Sequence, residues 1–255
     1  MASEGVVFDT AGEDRQFLRD LAVSTIALLV AYNAVIGAFP VLRLPENTKR
    51  CAWVLSIFSS CVCGPVCLPY VWRYVFQEWD ETNMFQDDEV SRSLVTFFFA
   101  YLMVDTYYSV MHYSDQLAFL TGWGHHIFYM TLFYMALKYH FCIGIMTTFP
   151  LEISTIPLSL GRVNPRWRND LAFGVLFFLT RILYHGFLLE RWYNMVAPPL
   201  TLWPICAIVL VLHAHWMYSW YIGYMKRLKN GKGKKEEGEG ASEKKAGGQL
   251  FGSMD

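Results

Sequence analysis

The chain has 255 residues, of which 54% are hydrophobic, 17% aromatic and 17% charged, with a formal net charge of −1. Soluble domains carry about a quarter charged residues; here the charges gather in short patches between apolar runs that approach the roughly 20 residues needed to cross a bilayer core. That pattern excludes a water-soluble domain and also a β-barrel, whose crossing segments alternate over about ten residues, and it predicts an all-α, polytopic membrane bundle.

Seven spans are expected. The first runs from about Phe17 to Leu42 and is followed by a basic link from Arg43 to Arg50. The second, from about Ala52 to Val75, contains Ser59, Ser60, Gly64 and Pro65, small residues that let membrane helices approach closely. An acidic loop with Glu78, Asp80, Glu81, Asp87, Asp88 and Glu89 comes next. It lacks the acid spacing and turn glycine of a calcium loop and reads as solvated. The third span covers about Ser93–Tyr113 and the fourth about Trp123–Tyr139. The fifth, about Phe141–Leu160, is interrupted by Pro150 and Pro157. The sixth covers about Leu171–Leu189 and the seventh about Leu200–Tyr224. The tail that follows, residues 229–255, is rich in Gly, Lys and Glu and is expected to be disordered. The chain thus divides into residues 1–49 with the first span, a core over 50–228, and the tail.

No cleavable signal peptide stands out near Met1. The tail opens with Lys226, Arg227 and Lys229, which places it in the cytoplasm by the positive-inside rule. Seven spans then put Arg43, Lys49, Arg50, Arg162, Arg166 and Arg168 on that same side. If the broken fifth span is re-entrant there are six, and the N-terminus moves to the cytoplasm. The cysteines at 51, 61, 63, 67, 142 and 206 show no paired CxxC spacing, so neither zinc nor a disulfide framework is indicated. Cys51, beside Lys49 and Arg50, is a candidate for S-palmitoylation.

Ionisable groups within spans are costly and mark functional sites by default. Asp105, Tyr108 and His112 share one face of the third span through their spacings of three and four. His125 and His126 point about 100° apart at the start of the fourth, with Tyr129 one turn beyond His126. Glu152 follows the helix-disrupting Pro150. Arg181 and His185 are spaced i, i+4 in the sixth, and a buried Arg181 calls for an acid, either Glu152 or Asp105. His213 and His215 point about 200° apart, so at most one joins the same site. Diiron HxxxH and HxxHH boxes are absent. Haem ligation needs histidines on facing helices at matched depth, which the available pairs do not exclude. The residue types also fit acyl transfer, with a histidine beside an orienting carboxylate.

Asp105, Gly122-Trp123-Gly124-His125-His126, Leu151-Glu152-Ile153-Ser154-Thr155-Ile156-Pro157 and Arg181 together resemble the TLC domain. This domain is shared by translocation-associated membrane proteins, ceramide synthases and the ceroid-lipofuscinosis membrane proteins. The resemblance is nearest to small TLC-domain proteins of the transmembrane-protein-56 type. Ceramide synthases carry a second pair of acids where this chain has Glu152 followed by Ser154 and Thr155, and many carry a homeobox-like insert that is missing here.

The resemblance implies an endoplasmic-reticulum or related endomembrane protein of lipid homeostasis, with a six-helix core around a lipid-accessible cavity. On this reading a membrane lipid or fatty acyl chain is the partner, touched by Tyr108, His112, Tyr129, Arg181 and His185. If the protein is an enzyme, His125, His126, Glu152 and Asp105 carry acyl transfer, with acyl-CoA as co-substrate. No metal, other cofactor or nucleic acid is expected, and a homo-oligomer or an endomembrane cargo or assembly role are the other expectations.

Overall fold

The computed structural model describes the backbone of residues 10–77, 79–114, 123–195 and 202–250. Side chains are described within these ranges up to residue 229, except at 10, 11, 45 and 81. The described chain is all-α: α1 (Thr10–Ala38), α2 (Thr48–Gln77), α3 (Glu89–His112), α4 (His125–Lys138), α5 (Cys142–Met146), α6 (Thr155–Val163), α7 (Asp170–Tyr193) and α8 (Trp203–Leu250). α1, α2, α3, α7 and the Trp203–Lys229 part of α8 are long and apolar enough to cross a membrane. A sixth span arises if Cys142–Glu152 and Thr155–Val163, bent by 50°, count as one.

The expected all-α, polytopic bundle is what the structure shows. Among the described residues five or six segments are long and apolar enough to cross by length and composition, against the about seven spans expected. The fourth candidate, about Trp123–Tyr139, becomes α4, whose 14 residues reach about 21 Å at 1.5 Å per residue, short of a roughly 30 Å hydrocarbon core. The fifth is broken because Pro150 opens a 3-10 turn over Phe149–Glu152, where a proline lacks the N–H that a continuing helix needs. The tail expectation also changes, because α8 continues as helical backbone to Leu250. Lys232 and Glu236, and Lys235 and Glu239, stand four residues apart in sequence, a spacing that supports helix. Residues 251–255 lie outside the described ones.

α3 is the inner helix. Of its most apolar window 61% is buried, against 11% for α1 and 6% for the membrane part of α8, so those two present their apolar faces outward. In a bilayer that surface meets lipid, as Leu18, Val23 and Ile26 on α1 and Ile208 and Val211 on α8 do. α1 lies along α3 and α3 along α4, while α2 packs on α6 and α8 on α7. Asp20 on α1 accepts from the Ser93 hydroxyl at 2.6 Å, and Asn33 donates to the Tyr108 hydroxyl at 2.9 Å, so two polar ties set the α1–α3 register. The core includes Val54, Leu55, Val95, Leu102, Met146 and Leu188.

Two membrane helices change winding. α2 turns π-helical over Val71–Gln77, after Pro65 and Pro69. α7 does so over Phe178–Tyr184, which carries Arg181. Such segments often mark functional positions, because the wider turn re-aims a side chain.

The acidic loop is more than solvated. Asp80 caps a short helix through the Thr82 amide and hydroxyl, both at 2.8 Å, which hold its carboxyl below the usual range. Asp88 and Ser91 form a capping box at the start of α3. Asp87 accepts from Arg92 at 2.6 Å and from the Cys142 amide at 2.8 Å, with His140 at 3.1 Å, and so pins α5 to the start of α3. Cys51 is buried with its thiol donating to the Leu42 carbonyl at 3.0 Å, which removes it as an accessible palmitoylation site.

Candidate functional site

The expected single polar site separates into two clusters. The first is centred on Arg181, whose π segment points its guanidinium across to the broken span. Nε donates to the Leu151 carbonyl at 2.9 Å and to Ser154 Oγ at 3.0 Å. Nη2 donates to Thr155 Oγ1 at 2.9 Å and to Glu152 Oε1 at 3.4 Å. Nη1 meets His213 Nε2 at 3.1 Å. The break at Phe149–Glu152 presents the Leu151 carbonyl, which also accepts from Ser154 Oγ at 3.1 Å, to the neighbouring helix.

Arg181 can only donate, so His213 Nε2 accepts and its proton resides on Nδ1. That Nδ1 stands 3.1 Å from His185 Nδ1, which therefore accepts and keeps its own proton on Nε2. Both imidazoles are buried. Glu152 is the acid partner of Arg181, and its other oxygen accepts from Ser60 at 3.5 Å.

The second cluster joins α3 to α4. His126 is buried, with Nδ1 2.6 Å from Thr106 Oγ1 and Nε2 3.4 Å from Asp105 Oδ2. Thr106 has a single hydroxyl proton and donates it to the Leu102 carbonyl at 2.7 Å. It must then accept from His126 Nδ1–H, so one further proton is shared between Nε2 and the Asp105 carboxyl. Asp105 is 6% exposed, and its buried Oδ1 has no hydrogen-bond partner among the described residues. Between the clusters Tyr101, one turn before Asp105, meets Ser56 Oγ at 3.1 Å; Ser56, Ser59 and Ser60 are all buried on α2.

The other expected residues lie around this seam. Tyr108 is buried but turns to α1, stacked on Tyr32 with ring centroids 3.9 Å apart. His112 is exposed at the end of α3, its ring 5.7 Å from Tyr108. The rings of His125 and Tyr129 are 4.6 Å apart, and among the described residues no hydrogen-bond partner is recorded for the exposed His125 imidazole. Arg181 therefore does not bring His125, His126 and Asp105 to its own cluster through any direct bond. Sequence reasoning missed Thr106 and Ser60; the adjacency of Thr106 to Asp105 and the 56/59/60 serine spacing on α2 were the available signals. Among the described residues no three His, Cys, Asp or Glu side chains are grouped to hold a metal.

The unpaired Asp105 Oδ1 suggests a stability-neutral substitution. In Asp105→Asn the new amide N–H takes the place of the shared proton and donates to His126 Nε2, so the geometry survives while a buried carboxyl is removed. Thermal unfolding in detergent is expected to change by less than about 1 kcal/mol; a large loss would mean that Asp105 is charged and paired with His126.

A protein-family model described as the TLC domain matches residues 47–222. No curated protein and no solved structure matches the chain. The matched stretch contains every member of both clusters, from Ser56 to His213.

Proposed function

This chain belongs to the TLC-domain family of integral, multi-pass membrane proteins, and we propose that it serves lipid homeostasis by holding a lipid or acyl chain between its helices. The observation that carries this reading is the buried, unpartnered Asp105 Oδ1. An unsatisfied polar atom in an apolar interior costs about 1–3 kcal/mol, and a lipid whose head bears an O–H or N–H donor would satisfy it. The Arg181 cluster supplies rigidity: Arg181 ties the broken span to α7 and, through His213, to α8.

The proposal includes an endoplasmic-reticulum or related endomembrane setting with the C-terminus in the cytoplasm. The basic residues at the C-terminal end of the last span, Lys226, Arg227 and Lys229, support that orientation. It also assigns the chain to the small TLC-domain proteins rather than the ceramide synthases, since Glu152 stands without a second acid pair.

A second reading, acyl transfer from acyl-CoA, is favoured by one feature, the exposed His125 imidazole with no recorded hydrogen-bond partner. His126 is less suited to that task, because both of its nitrogens face protein groups and a general base needs one of them for substrate. Native mass spectrometry of the purified protein decides for binding: a co-purifying lipid is expected, and it should be depleted in Asp105→Leu. A lipid-free preparation overturns the binding reading. In the same preparation, turnover of labelled acyl-CoA that is lost in His125→Ala would instead establish transfer.

A further inference from the structure

A separate cavity of about 570 Å³ opens where the C-terminal end of α1, the first turns of α2 and the end of α6 meet. Val35, Phe39, Ile57, Phe58, Leu160 and Val163 form its apolar wall. Arg50 and Arg166 stand at its polar side, with Trp167. The volume falls within the roughly 300–1,000 Å³ of small-molecule sites. None of these wall residues belongs to either polar cluster.

The charge around the mouth is one-sided. Residues 35–58 and 157–168 carry six cations, namely Arg43, Lys49, Arg50, Arg162, Arg166 and Arg168, against the single acid Glu46. Four of those cations have identifiable positions in the fold. Arg43 donates to the Ile36 carbonyl at the end of α1, Arg168 pairs with Asp170, and Arg162 lies over the Trp53 ring. Lys49 is exposed. For the side chains of Arg50 and Arg166, no acid partner and no hydrogen bond are recorded among the described residues.

These two guanidiniums stand at the ends of membrane helices, where headgroup phosphates of a bilayer lie. Phe39 and Trp167, 51% and 55% exposed, line the same cavity, and aromatic side chains settle at the membrane–water boundary. An apolar trough below and unpaired arginines above match an amphiphile with a negative head, since arginine forms bidentate bonds to phosphate. Basic pockets between membrane helices take anionic headgroups by the same physics.

We propose that this cavity is a binding site for an acidic phospholipid of the surrounding bilayer. One acyl chain lies against Phe39, Ile57, Phe58 and Val163, and the phosphate is held by Arg50 and Arg166. The lipid then bridges α1 to the α2–α6 pair. The site is independent of the lipid position at Asp105, because it uses other residues and recognises a negative head rather than a hydrogen-bond donor.

The test is native mass spectrometry of the full-length protein in detergent, incubated with equal amounts of phosphatidylglycerol and phosphatidylcholine carrying the same chains. Phosphatidylglycerol adducts are expected to exceed phosphatidylcholine adducts by about thirtyfold, the scale set by two basic residues near a membrane surface. Arg50→Gln with Arg166→Gln should abolish that preference, whereas Lys226→Gln with Lys229→Gln should leave it intact. Ile57→Trp fills the trough and should reduce the phosphatidylglycerol adduct by itself, with an unchanged elution profile showing that the fold is kept. Asp105→Leu, which removes the acceptor at the other lipid position, should leave the preference intact, which separates this result from the one that tests the proposed function. Equal adducts of the two lipids, a preference that survives loss of both arginines, or displacement of phosphatidylglycerol by excess inorganic phosphate would each overturn the proposal.

Discussion

Replacing Arg181 by Met is expected to destabilise the protein by about 3–5 kcal/mol, the range for removing one partner of a buried ion pair. Met matches the length of the arginine stem but donates nothing. The Leu151 carbonyl, Ser154, Thr155, Glu152 and His213 would all lose a donor at once. Glu152 would retain only the 3.5 Å contact from Ser60. Because the Arg181 and Glu152 side chains are only 14% and 23% exposed, solvent does little to compensate. Adding Glu152→Gln to Arg181→Met should recover part of the loss by removing the stranded charge, a coupling that a double-mutant cycle reads directly. Denaturant unfolding in mixed micelles measures it. Arg181→Met alone costing under about 1 kcal/mol would show that the cluster is solvated after all. Arg181→Lys should fall between the two, since an ammonium cannot reproduce the planar fork that reaches a carbonyl, two hydroxyls, a carboxylate and an imidazole together.

Gly174→Ala is expected to cost about 1–3 kcal/mol or more, through overpacking where α7 meets α8. A Cβ at this position would fall inside the contact distance of Trp220 Cη2 and Cζ2 and would stand 2.8 Å from Cζ3. The indole cannot slide away freely, because it is stacked on Tyr224 with centroids 5.2 Å apart and meets Phe173 edge-on at 6.1 Å. The methyl must therefore push the helices apart or turn the indole. In a Trp220→Leu background the same Gly174→Ala change should be nearly neutral, since the smaller side chain leaves room for the methyl. Comparing the two backgrounds by thermal unfolding in detergent checks this; an equal cost in both would place the strain in the helix backbone instead. Gly186, by contrast, has nothing within 4 Å of its would-be Cβ.

The all-α membrane architecture was legible in the sequence because it depends on a one-dimensional property, the length and continuity of apolar runs. The stretches at the first, second, third, sixth and seventh expected spans are the five long apolar helices of the structure. The two remaining expected spans are the less regular ones: the fifth is broken where Pro150 opens a 3-10 turn, as its prolines led one to expect, and the described α4 has 14 residues. The TLC resemblance was legible from His125-His126, Glu152-Ile153-Ser154-Thr155 and Arg181, and the family match covers that stretch.

The pairing of those residues was not legible. Two acids, Asp105 and Glu152, were open as partners for Arg181, and spacing within separate helices cannot choose between them. Helix packing decides it: α7 lies against the broken span that carries Glu152, while Asp105 faces α4 and His126. The same holds for His213 over His215, where helix rotation buries one imidazole against His185 and leaves the other exposed. By itself the sequence determined which segments are apolar enough for a membrane and which costly polar groups lie within them, because transfer free energy depends on residue type. Only the tertiary structure decided which of those groups satisfy one another, because hydrogen bonding depends on distances between helices that no spacing along the chain contains.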